Sequence, residues 1–408
     1  MSLEQSYIDL YAANRAKLLA GAPDSLNQYR DAAMEAFSTQ GFPAKKVEDY
    51  RYIDVRAAFD GKQNYSMLLK ATPLTAIKGN PISVNNTELL NRYYNKVADN
   101  HDPITALNTA LTQECLCIYL TKNQQLEKPI ELNDIFAAGV DQMEHKRILI
   151  ILEEGASAVL LLHYMTRDKY HYLATQVIEV FVGDNATLQL YELEETHTSC
   201  TRFNNVYFHM GRYATVKHNN ISLFNGTTRN TIKAYLKGEF GEVTLNGCVM
   251  ADKNQTVDNN TLIRHEVPNC TSHELYKYVV DEQSVGAFAG KVYVAEGAQK
   301  SVSKEVNQNI CASDEARMYT QPMLEIYADD VKCSHGSTVG KLDEMALFYL
   351  RQRGIPLAEA RMLLMQAFVG QVIDEIPITS LCDRLHIMIE QRLKGELDQC
   401  VGCARCNK

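Results

Sequence analysis

Short apolar segments broken by regularly spaced glycines dominate the middle of the chain. Gly155, Gly183, Gly211 and Gly238 each stand between two β-like segments, so the intervals are 28, 28 and 27 residues. Evenly spaced hairpins of an antiparallel sandwich are one explanation. A repeat of nearly constant length is more typical of a coil whose turns stack and bury a continuous apolar column. The pattern therefore favours a mainly β fold built on a β-solenoid.

Both ends of the chain have helical periodicity instead. Residues 2–40 predict two helices separated by a turn at Gly21–Ser25, and three amphipathic helices are predicted after residue 340. Residues 44–140 are mixed, and Pro129 restricts the segment after it to an edge strand. The three C-terminal helices could cap the solenoid or offer a groove to a partner, and both uses bury the same apolar face.

These patterns divide the chain into four parts. They are a helical and mixed N-terminal region (1–140), a β-helix core (141–335), a C-terminal helical domain (336–395) and a cysteine-rich tail (396–408).

The composition narrows the class of protein. Of the 408 residues, 46% are hydrophobic and 22% are charged, which is ordinary for a globular protein, and the net charge of −9 argues against nucleic-acid binding. No apolar run is long enough to span a bilayer, and the N-terminus lacks the pattern of a secretory signal. Eleven cysteines without an export signal predict free thiols in a reducing compartment, so we expect a cytoplasmic protein.

The strongest candidate for chemistry is a cysteine and a histidine two residues apart. Cys333 and His335 lie in a Ser/Thr/Gly-rich segment that we expect to form a turn leading into a helix. Thiolate and imidazole suit soft metal ions and iron–sulfur fragments. Two ligands do not close a site, so others must come from elsewhere or from another chain. The alternative is a buried cysteine in the last strand and a histidine that caps a helix.

Two other segments resemble known binding motifs. Cys400, Cys403 and Cys406 have C-x₂-C-x₂-C spacing, which suits a metal or cluster, but a fourth ligand is missing and a flexible, reactive tail fits equally well. Gly336–Lys341 has three residues between its glycines where a phosphate-binding loop has four. Leu342 stands where that loop requires Ser or Thr, so we reject nucleotide hydrolysis by this chain.

A third cluster allows acid–base chemistry. His265, Cys270 and His273 lie within nine residues, with Asp258 and Glu266 nearby. Polar residues at solenoid turns usually satisfy backbone groups, and we expect that role here. No Ser/His/Asp arrangement accompanies them.

The longest motif identifies a family. Val331–Ile355 (VKCSHGSTVGKLDEMALFYLRQRGI), with Pro322–Asp330 before it, resembles the C-terminal signature of the SufB/SufD family of SUF iron–sulfur cluster assembly scaffolds. His265–Lys277 and Gly290–Lys300 belong to the same resemblance, and so does Gly41–Tyr52, in which Tyr50 replaces the family's Trp. The chain resembles SufD more than SufB, because the longer N-terminal region of SufB is not found here.

The resemblance implies both a fold and a function. It implies a right-handed parallel β-helix with helical ends, acting as a non-catalytic scaffold that pairs with SufB. The C-terminal helices of each subunit would together grip one copy of the ATPase SufC, whose motion would reach the interface through residues 341–395. Cys333 and His335 would lie at the SufB–SufD interface as ligands of a nascent Fe–S cluster. Some family complexes also bind reduced flavin, and the isolated subunit could form a homodimer.

Two alternatives come from other classes of protein. One is a SufB-like subunit that forms a homodimeric scaffold with SufC. The other is a carbohydrate-active β-helix enzyme, which needs clustered carboxylates or basic residues on an exposed face and is usually exported. The many thiols and the missing export signal count against the enzyme.

Overall fold

The computed structural model describes residues 2–60, 66–67 and 81–395, and at its centre is a parallel β-solenoid of about eight turns. Each turn contributes one strand to each of two sheets, and the solenoid strands pair in parallel with the strand one turn away, whereas the short strand Ile82–Val84 pairs antiparallel with Cys115–Leu120. The first sheet ends at Ile82–Val84 on one side and at Arg317–Ile326 on the other, and Ser66–Met67 pairs with Gln142–Leu152. The second sheet ends at Ile130–Phe136 and at Lys332–Gly340. The predicted mainly β solenoid is confirmed.

The strands follow one another closely along the chain. They are β1 (Ser66–Met67), β2 (Ile82–Val84), β3 (Cys115–Leu120), β4 (Ile130–Phe136), β5 (Gln142–Leu152), β6 (Ser157–Thr166), β7 (Tyr172–Val182), β8 (Thr187–Glu195), β9 (Cys200–Met210), β10 (Thr215–Phe224), β11 (Thr227–Leu236), β12 (Glu242–Ala251), β13 (Thr256–His265), β14 (Thr271–Val280), β15 (Val285–Val294), β16 (Val302–Cys311), β17 (Arg317–Ile326) and β18 (Lys332–Gly340). The first sheet has the order β17-β15-β13-β11-β9-β7-β5-β3-β2, with β1 paired to β5, and the second has the order β18-β16-β14-β12-β10-β8-β6-β4. The edge strand expected after Pro129 is confirmed, because β4 ends the second sheet and has β6 as its one partner among the described strands.

Helices precede and follow the solenoid, as the periodicity predicts, although residues 2–40 form three helices where two were predicted. They are α1 (Leu3–Gly21), α2 (Asp24–Asn27), α3 (Arg30–Gln40), α4 (Val55–Phe59), α5 (Thr87–Tyr93), α6 (Pro103–Leu111), α7 (Glu344–Gln352), α8 (Leu357–Ile373) and α9 (Thr379–Leu393), with one 3₁₀ turn at Glu48–Tyr50. The three predicted C-terminal helices are α7, α8 and α9. Among the described helices, none is both long enough and apolar enough to cross a lipid bilayer.

The four repeating glycines lie at the corners where the chain passes from the first sheet to the second. The amide of Gly183 donates to the Leu152 carbonyl of the preceding turn at 2.8 Å, and Gly211 repeats this bond to Val182 at 2.8 Å. A Cβ on Gly183 would lie 2.9 Å from the Leu152 carbonyl oxygen, so a side chain there would push the stacked turns apart. The glycine repeat therefore marks the close backbone contacts of the solenoid corners.

The interior of the solenoid has an apolar half and a polar half. Apolar side chains fill the half beside the glycine corners, where they form one continuous cluster. In the opposite half, amide side chains of successive first-sheet strands form a ladder along the axis. The ladder consists of Gln176 donating to Asn204 at 3.1 Å, Asn204 donating to Asn230 at 3.5 Å and Asn230 donating to Asn259 at 2.9 Å. Because strand pairing aligns these positions, the amides satisfy one another inside the core.

The helices cover the outer faces of the two sheets. α1, α3 and α6 pack with Met143, Leu173 and Phe203 on the outer face of the first sheet. α8 and α9 pack on the outer face of the second sheet, against residues that include Tyr191 and Ile221. Both sheets are therefore covered on their sides, while the last turn of the solenoid stays uncovered by these helices.

Candidate functional site

The last turn of the solenoid ends in two edge strands. β17 is the last strand of the first sheet and β18 is the last strand of the second, and each has a single neighbour among the described strands. Most residues of β18 are exposed, and Val339 keeps 48% of its surface in contact with solvent. Natural proteins usually shield long edge strands, because unpaired N–H and C=O groups invite pairing with another strand. This open end is the candidate functional site.

Cys333 and His335 lie on β18 and not on the predicted turn. The turn prediction was wrong because Lys332–Gly340 pairs along its length with β16, and such pairing can override a weak local preference. Cys333 is opposite Ser303, and His335 is opposite Glu305. Since side chains two apart in a strand share a face, both point the same way as these two buried side chains, toward the interior of the coil.

The two candidate residues differ in exposure. Cys333 is half-buried beside a small apolar cluster that includes Val292 and Ala328, and this burial raises the pKa of its thiol. The resting side chain is therefore a thiol rather than a thiolate. His335 is exposed at the rim of the open end. The pair thus offers one shielded sulfur and one accessible imidazole on the same face.

A row of hydroxyl groups leads from the interior to Cys333. Ser272, Ser303 and Cys333 are successive register partners on β14, β16 and β18. The Ser272 hydroxyl donates to Ser303 at 2.9 Å and lies 2.9 Å from Nε2 of His265. Burial lowers the pKa of His265 to about 4, so its imidazole is neutral. The hydrogen bonds of this row therefore extend to Ser303, on the strand next to that of Cys333.

A second row consists of carboxyl groups and leads to His335. Glu274, Glu305 and His335 are successive register partners, about 4.8 Å apart from strand to strand. Both glutamates are buried, and none of their four oxygens has a hydrogen-bond partner among the described residues. Burial raises the pKa of Glu274 to about 7, although the nearby Thr261 hydroxyl opposes this rise. Burial and the neighbouring Glu274 raise the pKa of Glu305 to about 9.

A glycine on the facing sheet makes room for these carboxyls. A Cβ on Gly290 would overlap the Glu305 carboxyl group. Our sequence reasoning missed Glu274 and Glu305. A signal was present, because Ser303, Glu305, Asn307 and Asn309 are polar at every second position of β16, where a solenoid normally buries apolar residues.

The other predicted residues do not join this site. His265 faces the interior, whereas His273 is exposed on the outer face of β14, so the two histidines do not form the acid–base cluster that we considered and did not expect. Cys270 is buried in the main apolar cluster. The tail thiols Cys400, Cys403 and Cys406 lie outside the described residues.

A separate exposed surface lies on α7. None of its residues is buried, and Met345, Phe348 and Tyr349 keep 76%, 60% and 57% of their surfaces exposed. We call these three side chains the α7 apolar surface. α8 and α9, in contrast, contact the second sheet, and Arg384 of α9 donates to the buried Glu195 at 2.8 Å. Two uses were left open for these helices, capping the solenoid or offering a surface to a partner. α8 and α9 cover the side of the second sheet and not the end of the solenoid, and α7 keeps an apolar surface exposed.

Comparison with known proteins identifies relatives along most of the chain. Residues 135–368 match the family model described as "SUF system FeS cluster assembly, SufBD core domain", and residues 1–80 and 79–132 match "SufBD protein N-terminal region".

Individual relatives agree with these matches. The Escherichia coli iron–sulfur cluster assembly protein SufD is 31% identical over 71% of this chain and 69% of its own length. SufD of Bacillus subtilis is 27% identical over 76% of this chain and 71% of its own length. A SufBD family protein of Synechocystis is 28% identical over 79% of this chain and 70% of its own length. The resemblance inferred from the motifs is confirmed.

Proposed function

Because this chain belongs to the SufBD family of iron–sulfur cluster assembly proteins, we propose that it is a non-catalytic SufD-type scaffold subunit. In this proposal it pairs with a SufB-type subunit, binds a SufC-type ATPase and helps to build a transient Fe–S cluster. The observation that carries the proposal is the open end, where Cys333 and His335 share one face of an uncovered edge strand.

The unpaired edges support pairing with a second solenoid. β17 and β18 offer ten and nine residues of backbone whose outer groups have no strand partner among the described residues. A second β-helix could continue both sheets by adding its own strands, which is a common mode of β-recognition. Exposed apolar side chains at this end, including Tyr319, Ile326 and Val339, would add burial to the hydrogen bonds.

The ligand count also supports a shared site. Thiolate and imidazole are ligands for iron–sulfur clusters, but a cluster requires more ligands than Cys333 and His335 supply. A partner covering the open end would bring its own side chains to the same rim. It would also exclude water, so the half-buried Cys333 would exchange its proton for iron in a protected environment.

The α7 apolar surface is the candidate site for the ATPase. Exposed Met345, Phe348 and Tyr349 form an apolar helix face of the kind that docks into a groove on a partner. α8, the next helix, packs on β12 and β14 of the second sheet. A movement of α7 would therefore be transmitted to the strands that lead to the open end. The reduced flavin implied by the resemblance stays a prediction, since no described residue identifies a site for it.

Anaerobic co-expression with SufB-type and SufC-type partners tests this proposal. We expect an assembly of one SufB-type chain, one copy of this chain and two ATPase chains, with the visible absorption of an Fe–S cluster. His335→Ala should abolish the cluster absorption while the assembly keeps its native mass. The matched control is His273→Ala, which removes an exposed imidazole from the outer face of the same solenoid and should leave the absorption unchanged.

Each part of the proposal has an outcome that contradicts it. A chain that purifies alone contradicts the scaffold role, and an assembly with two copies of this chain and no SufB-type subunit supports the homodimeric alternative. If the His335→Ala assembly forms and keeps its cluster, the ligand role of His335 is contradicted. The rest of the proposal is not affected by that result.

A further inference from the structure

The C-terminal helices bring together three side chains that could bind a metal. Cys382 and His386 lie one helical turn apart on the same face of α9, and Asp374 lies at the C-terminal end of α8. One donor atom from each, a sulfur, a nitrogen and an oxygen, lies within 4.8 Å of the other two. Nε2 of His386 is 2.7 Å from Oδ1 of Asp374. The contact between the two helices therefore creates this convergence.

Movements of about 1 Å would bring the three donor atoms to the spacing of a transition-metal site. In a tetrahedral site with bond lengths of about 2.0–2.3 Å, the donor atoms lie about 3.5 Å from one another. The observed histidine–aspartate pair would open by less than about 1 Å to reach that separation. The side chains of Asp374 and His386 are 66% and 32% exposed, so rotation of surface side chains can supply this change.

The kinds of donor select the class of ion. Mg²⁺ and Ca²⁺ prefer oxygen ligands only, whereas a mixed set of thiolate, imidazole and carboxylate suits a borderline ion such as Zn²⁺ or Fe²⁺. We propose that Asp374, Cys382 and His386 bind one divalent transition-metal ion of this class on the C-terminal helices. Three protein ligands leave a fourth position for water or for a donor from another molecule.

The charges around the thiol agree with a cation at this place. Asp374 and Asp383 place two carboxylates near the sulfur of Cys382. An incoming cation would be attracted by the two carboxylates. Binding would release the thiol proton to solvent and leave a thiolate bound to the ion.

A simple ion pair between Asp374 and His386 is the alternative explanation. It accounts for the 2.7 Å contact but gives no role to the cysteine sulfur within 4.8 Å of both groups. The two explanations therefore differ in whether Cys382 becomes a ligand. This question is independent of the proposed scaffold function, because the site lies on the helices and not at the open end of the solenoid.

Cobalt(II) binding to the full-length chain tests the proposal. The background variant carries Cys400→Ser, Cys403→Ser and Cys406→Ser, so that the tail thiols cannot bind the probe. We expect one equivalent of Co²⁺ to produce a thiolate-to-cobalt charge-transfer band and visible ligand-field bands, both removed by added Zn²⁺. In this background, Cys382→Ser should abolish the charge-transfer band.

Two further readouts separate ligation from a loss of folding. His386→Ala should weaken Co²⁺ binding by at least about tenfold. Zn²⁺ should raise the melting temperature of the background variant, because it binds the folded state, and this rise should disappear with Cys382→Ser. Far-ultraviolet circular dichroism of each variant without metal verifies that α8 and α9 remain folded.

The matched control is Cys311→Ser, which changes another partly buried thiol, on β16 of the solenoid. It should keep the charge-transfer band in the same background. A band that is lost with Cys333→Ser and kept with Cys382→Ser would overturn this proposal and support metal binding at the open end. A background variant that gives no band would also overturn the proposal, while leaving the scaffold function untouched.

Discussion

Replacing Glu305 by Gln should stabilise the isolated chain at neutral pH. Glu305 is buried beside Glu274, and neither of its carboxyl oxygens has a hydrogen-bond partner among the described residues. Glutamine has nearly the same shape but never becomes charged. The substitution therefore removes the cost of keeping this buried carboxyl group protonated at neutral pH, and it leaves no cavity.

The pH dependence sets the size of the effect. The pKa of Glu305 is raised from its ordinary value of 4.5 to about 9, so the folded state holds a proton that the unfolded state releases. Holding this proton lowers the free energy of unfolding. The cost is absent below the ordinary pKa and grows by about 1.4 kcal/mol per pH unit up to the folded-state pKa. At about pH 7 this cost reaches roughly 3 kcal/mol.

Urea unfolding of the wild type and Glu305→Gln at several pH values measures this difference. The variant should gain little at about pH 4 and should gain roughly 3 kcal/mol in free energy of unfolding at about pH 7. Glu242→Gln, which changes an exposed glutamate at the start of β12, is the matched control and should show no such trend. A stability difference between Glu305→Gln and wild type that stays constant across this range would refute the reasoning.

Three further predictions concern other parts of the molecule. Gly183→Ala should lower the free energy of unfolding by roughly 1–3 kcal/mol, measured by thermal or urea unfolding, because the added Cβ would meet the preceding turn. Gly297→Ala, where a Cβ would have open space, should leave this free energy nearly unchanged. Phe348→Ser should abolish binding of the ATPase in a pull-down while leaving the melting temperature nearly unchanged, and equal binding would contradict the docking role of α7. The rate at which iodoacetamide alkylates Cys333 should rise at a higher pH than the rate for a free thiol, because burial raises the pKa of Cys333. Mass spectrometry of the modified peptide measures this rate. A pH profile equal to that of a free thiol would show that Cys333 is not shielded.

The sequence alone predicted most of the architecture. The interval between Gly155, Gly183 and Gly211 is set by the length of one turn, since each glycine must fit against the turn before it. Helical periodicity identified the C-terminal helices, because an amphipathic pattern needs only local spacing. The motif at Val331–Ile355 identified the family for a similar reason, since its residues are contiguous in the chain.

Only the tertiary structure decided what these elements place together. Glu274 and Glu305 are 31 residues apart, and strand register alone makes them neighbours. The same register placed Cys333 on a strand, although its Ser- and Gly-rich surroundings predicted a turn.

The helix surfaces required the same information. An amphipathic pattern shows that α7 has an apolar face but not whether anything covers it. Asp374 meets Cys382 and His386 only because α8 packs against α9. Local spacing is a property of neighbouring residues and can be predicted from the chain, whereas these contacts depend on long-range packing, which brings together residues that the sequence keeps apart.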